Sequence, residues 1–228
     1  MEEHEHEFIQ FLAKYRKTYG TKEEYNYRLS VFAEKYYFIK EENASQDHYR
    51  LAINKFADMN DYEYKQILSY KKSENFETEE EEDIVYSYPS SYDWRDHGAV
   101  TGVKDQGQCG SCWSFSTTGS LEGHNKIKNG NELVSLSEQY FVDCDYILRG
   151  GYSLGCNGGD MYKAHVYAGD NGVVLESDYP YTAQDGTCDK TKTRFSVNKG
   201  AKYVTKRKEA ALLQAISEQP ISIGIEAD

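Results

Sequence analysis

Apolar residues recur at helical spacing from Phe8 to Asn43, with one break at Tyr19-Gly20-Thr21. Thr21 followed three residues later by Glu24 has the form of a helix cap, so a helix is predicted on each side of the break. Within the second, Glu24, Arg28, Phe32, Lys35, Ile39 and Asn43 stand at offsets 0, 4, 8, 11, 15 and 19. At ~100° per residue these six fall within an arc of about 100°, one stripe on one face. By itself such a stripe is a packing surface.

The pattern changes at Asp105-Gln106-Gly107-Gln108-Cys109-Gly110-Ser111-Cys112-Trp113-Ser114-Phe115. A glycine-broken turn leads into an apolar, small-residue run, which predicts a buried helix opening at Cys112, reaching about Lys128 and stopping at Asn129-Gly130. Ser135 to Gln139 offers another cap ahead of a short helix to Cys144. A Gly-rich loop over 149–159 precedes a helix over 160–168, which Gly169-Asp170-Asn171-Gly172 should close. After the turn-rich connection begun by Tyr179-Pro180-Tyr181, strands are predicted at 199–204 and 221–225 with a helix over 208–217 between them. No internal repeat is visible.

The 228 residues suffice for one sizeable core, or one core plus a smaller module. A formal net charge of −12 argues against nucleic-acid binding, and no stretch has the apolar length of a membrane span. Residues 1–87 hold 12 Lys/Arg against 20 Asp/Glu, and the rest 14 against 18, so bulk charge attraction cannot join the two parts. The opening Met1-Glu2-Glu3-His4-Glu5-His6-Glu7 lacks the basic start and apolar centre of a secretory signal and reads as a solvated charged tail, 1–7. The run Glu77-Thr78-Glu79-Glu80-Glu81-Glu82-Asp83 is too self-repelling to pack, and 69–83 reads as an exposed linker open to proteolysis.

Five cysteines leave one over when four pair, and three pairings of four are possible. Disulfides imply an oxidising compartment, which the leaderless start does not supply; the cysteines are the stronger signal. A thiol on the first residue of a helix faces the unpaired amides of the first turn, surroundings suited to a nucleophile. Cys109-Gly110-Ser111-Cys112 also fits a redox pair or half a four-cysteine zinc site. The zinc reading wants a second close pair, whereas Cys144 and Cys156 are twelve apart; the redox reading wants a strand before the motif, and the preceding residues are polar and glycine-rich.

Cys-Gly-Ser-Cys-Trp is the local signature of papain and cathepsin nucleophiles, and from here the chain resembles a papain-like cysteine peptidase. The stripe on the second predicted helix is similar to the Glu-Arg-Phe-Asn-Ile-Asn motif of cathepsin L-type inhibitory prodomains, in Glu24, Arg28, Phe32, Ile39 and Asn43, with Lys35 replacing the first Asn. Ala52-Ile53-Asn54-Lys55-Phe56-Ala57-Asp58 resembles the second prodomain motif, Gly-x-Asn-x-Phe-x-Asp, through Asn54, Phe56 and Asp58. The resemblance implies an α+β, two-lobed peptidase with its helical lobe complete and its β-rich lobe truncated, preceded by a helical prodomain. The divisions it implies are a prodomain over 8–65, an acidic linker with the activation cleavage over 66–87, near Tyr86 to Tyr88, and a peptidase domain over 88–228.

The same resemblance makes Cys112 the nucleophile and Gln106 the oxyanion donor. It assigns Gly158, Gly159 and Met161 to substrate binding, and it selects Cys109 with Cys156 and Cys144 with Cys188. Asp160 departs from the bulkier apolar or aromatic residue that relatives carry. No metal or cofactor is implied. The implied partners are protein and peptide substrates and the chain's own prodomain, which runs backwards through the cleft and is released in acid, with Asp58 and neighbouring carboxylates as candidates for that release. The implied state is a monomer in a lysosome, a vacuole or outside the cell. Asn43-Ala44-Ser45 is a glycosylation acceptor by pattern.

Family members carry the general-base His and its Asn about 130 to 150 residues beyond the nucleophile. Residue 228 is 116 beyond Cys112, so both are expected past Asp228 and the given chain to be inactive. His4, His6, His48, His97, His124 and His165 read as structural or surface residues. The rival reading is a shortened, inactive product whose prodomain inhibits intact relatives.

Overall fold

In a computed structural model the described residues are 3–71 and 89–225. The chain divides into two compact units, Met1–Gln66 and Ile67–Asp228. The carboxylate run at 77–83 and the proposed cleavage region at 86–88 lie outside the described residues.

The first unit is helical, with α1 over Glu3–Tyr15, α2 over Lys22–Ser45 and α3 opening at Asp61 and ending at Ile67. Thr21 caps α2, its Oγ1 accepting from Glu24 N at 3.1 Å. Phe8 and Phe11, three apart on α1, meet Phe32 of α2 with ring centroids 5.1 Å away in both cases, and Ala57 closes this core. Each buried phenylalanine contributes about 2–3 kcal/mol.

The charged start differs from expectation. Glu3 to Glu7 form the first turns of α1, because Glu3 accepts from Tyr36 Oη at 2.8 Å and Lys40 Nζ at 2.7 Å on α2. His4 Nδ1 lies 3.0 Å from Tyr37 Oη. Partners distant in sequence turn a solvated tail into helix.

The α2 stripe is partly polar in its contacts. Arg28 donates twice to Glu63, at 2.6 and 2.8 Å, and to the Asp58 carbonyl at 3.0 Å. Glu24 stands 3.7 Å from Arg28, and Lys35 pairs with Asp61 at 3.3 Å. Phe32 is fully buried and Ile39 half-buried. Asn43 donates to Leu51 O at 2.8 Å and accepts from Leu51 N at 2.7 Å. In the second motif Asn54 Oδ1 accepts from Phe56 N at 2.9 Å, and Phe56 rests on Tyr64. Asp58, 4% exposed, accepts from Lys17 Nζ and Tyr19 Oη, each at 2.8 Å.

The second unit is built on α4 (Cys112–Lys128), α5 (Glu138–Cys144), α6 (Met161–Asn171) and α7 (Glu209–Glu218), with a 3₁₀ turn at Ile147–Arg149. Trp113, Leu121, Leu136, Tyr140, Phe141, Ala164 and Val173 form its core. Lys104 ties α4 to α5 by donating to Glu122 at 2.8 Å and Glu138 at 2.6 Å, both carboxylates 1% exposed. Burial opposes the charge on Lys104, but its two carboxylate bonds hold its pKa above the usual lysine value.

Two sequence expectations give way here. The predicted stop after residue 168 is not one: α6 continues to Asn171 and ends where Gly172 N donates to Ala168 O at 2.8 Å. Gly169 sits inside the helix because a Cβ there would stand 2.6 Å from Gly200 N. The strands predicted at 199–204 and 221–225 are also not formed among the described residues, where β pairing is confined to isolated bridges. Alternation shows that a segment suits a sheet but supplies no partner; here both segments line a cavity with α7.

Candidate active site

Cys112 is the first residue of α4, partly exposed and free. The other four cysteines are joined as Cys109–Cys156 and Cys144–Cys188. Its neighbour Trp113 is fully buried and donates through Nε1 to Gly155 O at 3.2 Å, which anchors the helix start. The loop before it is held from inside: Gln106 Nε2 donates to Cys109 O at 2.9 Å, and Tyr181 Oη donates to Gln106 O at 2.8 Å.

Residues 67–71 lie over the thiol. Ser69 Oγ is 3.8 Å from Cys112 Sγ and donates to Gly110 O. Gln106 Nε2 also reaches Ile67 O at 3.3 Å. Tyr70 forms a parallel bridge with Gly159, and Lys71 N donates to Gly159 O at 2.9 Å. Ser69 is 8% exposed where the sequence pattern suggested the start of an exposed linker. The pattern misses this because the segment docks largely through its backbone, which no side-chain periodicity records.

The two glycines beside this segment act differently. At Gly158, with φ +116°, a Cβ would stand 2.3 Å from Ser69 O, so the bare backbone admits the overlying segment. A Cβ at Gly159 would stand 2.5 Å from the Trp113 ring, so that glycine is required by the core beneath, while its carbonyl accepts from Lys71 N. Met161, 8% exposed at the start of α6, lines a cavity of about 700 Å³ with Tyr70, His165, Ala211 and Gly224. Asp160 serves as the α6 cap, accepting from Lys163 N at 3.0 Å.

The histidines of this unit are engaged away from Cys112. His165 is held between Ser120 Oγ and Met161 O, both at 2.7 Å, and burial pushes its pKa down. His124 Nδ1 lies 2.7 Å from Gln219 Oε1, and His97 stacks on Tyr92 at 4.6 Å. Among the described residues no group of three or more His, Cys, Asp or Glu is arranged to hold a metal ion, and no helix is long and apolar enough to cross a membrane.

The fold thus gathers Cys112, Gln106, Gly158 and Gly159 around one short segment of the same chain. A free thiol and a side-chain amide lie under the same cover. Sequence reasoning missed Ile67, Ser69, Tyr70 and Lys71 over the thiol and Tyr181 beneath the loop. For Tyr181 the available signal was its place in Tyr179-Pro180-Tyr181, read there as a turn alone.

Residues 88–228 match the family described as papain family cysteine protease, and residues 8–64 match the cathepsin propeptide inhibitor domain. The chain is 45% identical over 218 residues to a thiol protease SEN102 of Hemerocallis sp., covering 90% of this chain and 59% of that protein. It is 42% identical to digestive cysteine proteinase 1 of Homarus americanus, covering 96% of this chain and 69% of that one. Among solved structures, a recombinant stem bromelain precursor superposes with a TM-score of 0.84 at 32% identity, covering 96% of this chain and 70% of the other. Digestive procathepsin L 3 of Tenebrio molitor gives 0.82 at 33% identity, covering 96% and 71%. The chain spans 59% and 57% of the lengths of two of the plant proteases it matches.

Proposed function

Because the chain belongs to the papain family of cysteine proteases and carries a cathepsin propeptide inhibitor domain ahead of the peptidase region, we propose that the complete protein is a monomeric endopeptidase zymogen. Its prodomain silences it until acid and proteolysis release it. Cys112 attacks the scissile carbonyl as a thiolate, the leaving amine departs, and water hydrolyses the acyl-enzyme. The Gln106 side-chain amide and the Cys112 backbone amide donate to the oxyanion. Residues 67–71 stand where an extended substrate would lie, against Gly158 and Gly159, and Met161 forms part of an apolar pocket for a side chain two residues before the cut. The setting is a lysosome, a vacuole or the cell exterior.

The observation that carries this reading is the free Cys112 at a helix start, with Ser69 against its sulfur and Gln106 bonded to Ile67 O. Acid release is assigned to the carboxylates of the second prodomain motif and its surroundings, Asp58 and Glu63. A self-processing pH unmoved by Asp58→Asn would remove Asp58 from that role.

The test is expression from the complete transcript, acid treatment, and exposure to a peptidyl epoxide. Mass addition at Cys112 together with hydrolysis of an apolar peptide is expected. A verified stop after codon 228, with no hydrolysis but inhibition of intact relatives, would favour the inhibitor reading instead. The engagement of His97, His124 and His165 elsewhere is what keeps that second reading in play.

A further inference from the structure

The proposed reaction makes no use of Tyr181, yet its hydroxyl touches both ends of the loop that carries the chemistry. It donates to Gln106 O at 2.8 Å and lies 2.6 Å from Ser111 Oγ. A phenol has one proton, and a carbonyl can only accept, so the Tyr181 proton goes to Gln106 O and Ser111 donates to the phenol oxygen. The other acceptor near Ser111 Oγ, Cys109 O, is 3.5 Å away.

Tyr181 is itself fixed. Phe115, on the first turn of α4, meets its ring edge-on at 4.9 Å, and the Tyr181 amide donates to Glu176 Oε1 at 2.8 Å. The next amide, Thr182 N, donates to Gln139 Oε1 at 2.9 Å. Burial pushes the hydroxyl up to about 12, so it stays a donor from acid to neutral pH.

The loop it spans contains Gly107, at φ +62°, and Gly110, and so has much conformational freedom to lose. The Cys109–Cys156 bond pins its middle. Its two ends carry the Gln106 amide and, one residue after Ser111, the Cys112 sulfur.

We propose that Tyr181 is a positioning residue whose hydroxyl clamps Gln106 to Ser111 and thereby sets the amide donor against the sulfur. This rests on the reading of Cys112 as nucleophile and Gln106 as oxyanion donor. The clamp fixes the Gln106–Gly107 peptide plane from behind, while the side-chain amide donates to Cys109 O and to Ile67 O, the second of which departs with residues 67–71.

The experiment uses the full-length zymogen and Tyr181→Phe, which removes one oxygen and keeps the ring. After acid activation, kcat on an apolar peptide falls about tenfold while KM stays within about twofold, the pattern of a group felt in the transition state. In a Gln106→Ala background the same change costs nothing further, because the clamp acts through Gln106. Equal losses in both backgrounds, or an unchanged kcat, overturn the clamp.

A second readout needs no turnover. In the zymogen at neutral pH, Tyr181→Phe raises the rate of Cys112 alkylation by iodoacetamide about fivefold, since two of the bonds that hold residues 67–71, Gln106 to Ile67 O and Ser69 to Gly110 O, are made to the clamped loop. An unchanged rate overturns the proposal. A wild-type protein that alkylates at Cys112 but hydrolyses nothing refutes the enzyme reading, and the alkylation comparison then decides the clamp by itself.

Discussion

Two adjacent glycines illustrate how far residue identity falls short of residue role. Gly158 and Gly159 look interchangeable in the chain, but a Cβ on the first meets Ser69 O and a Cβ on the second meets Trp113. Gly158→Ala is expected to loosen residues 67–71, speeding Cys112 alkylation several-fold, and to lower the melting temperature as well, because its φ of +116° strains any residue with a Cβ. Gly159→Ala should lower the melting temperature while leaving alkylation near the wild-type rate, since overpacking a core costs about 1–3 kcal/mol. Alkylation kinetics and thermal melts on the two variants separate the roles. Asn43 supplies a second case. Its amide is bonded to Leu51 through both its nitrogen and its oxygen. Asn43→Ala should destabilise the first unit by about 1–3 kcal/mol, the usual cost of stranding part-buried backbone partners, as read by denaturant unfolding.

At the scale of elements, α2 depends on an ion pair with α3. Arg28 makes two bonds to Glu63, and these, the largest influence on that carboxyl, hold its pKa below the ordinary 4.5. A lowered folded pKa means that the stabilisation is complete above about 4.5 and is lost as the pH drops through the folded value. Glu63→Gln is therefore expected to weaken the first unit at neutral pH and to flatten its stability profile below about pH 4.5, measured by circular dichroism across an acid series. A profile that keeps its full acid dependence would place the titrating group elsewhere. The sequence marked Arg28 through the stripe, but Glu63 lies outside both motifs and is identified only by contact.

For the whole molecule, the second unit carries a titration of opposite sign. Asp145 is fully buried, with Oδ1 accepting from Tyr152 N at 2.8 Å and Oδ2 without a hydrogen-bond partner. Burial pushes its pKa up to about 7 from an ordinary 3.8. The folded state then holds the proton more tightly than the unfolded chain, so stability rises as pH falls from about 7 toward 3.8. Denaturant unfolding should find this unit more stable near pH 5 than near pH 8, and Asp145→Asn should remove most of that difference. Together Glu63 and Asp145 predict two transitions that move apart in acid, the prodomain weakening as the peptidase unit strengthens.

Local chemistry was legible in the sequence because it depends on neighbours in the chain. The Thr21 cap, the start of α4 at Cys112 and its end at Lys128, and the Cys-Gly-Ser-Cys-Trp signature all follow from short-range pattern. What lies over the sulfur, which glycine faces it, whether Glu3 is tail or helix, and whether 221–225 finds a ladder could not be read that way. Each is settled by a partner 30 or more residues distant, or by the want of one. Side-chain periodicity records which face of an element is buried but not what buries it, and only the folded chain brings Ser69 to Cys112 and Tyr181 to Gln106.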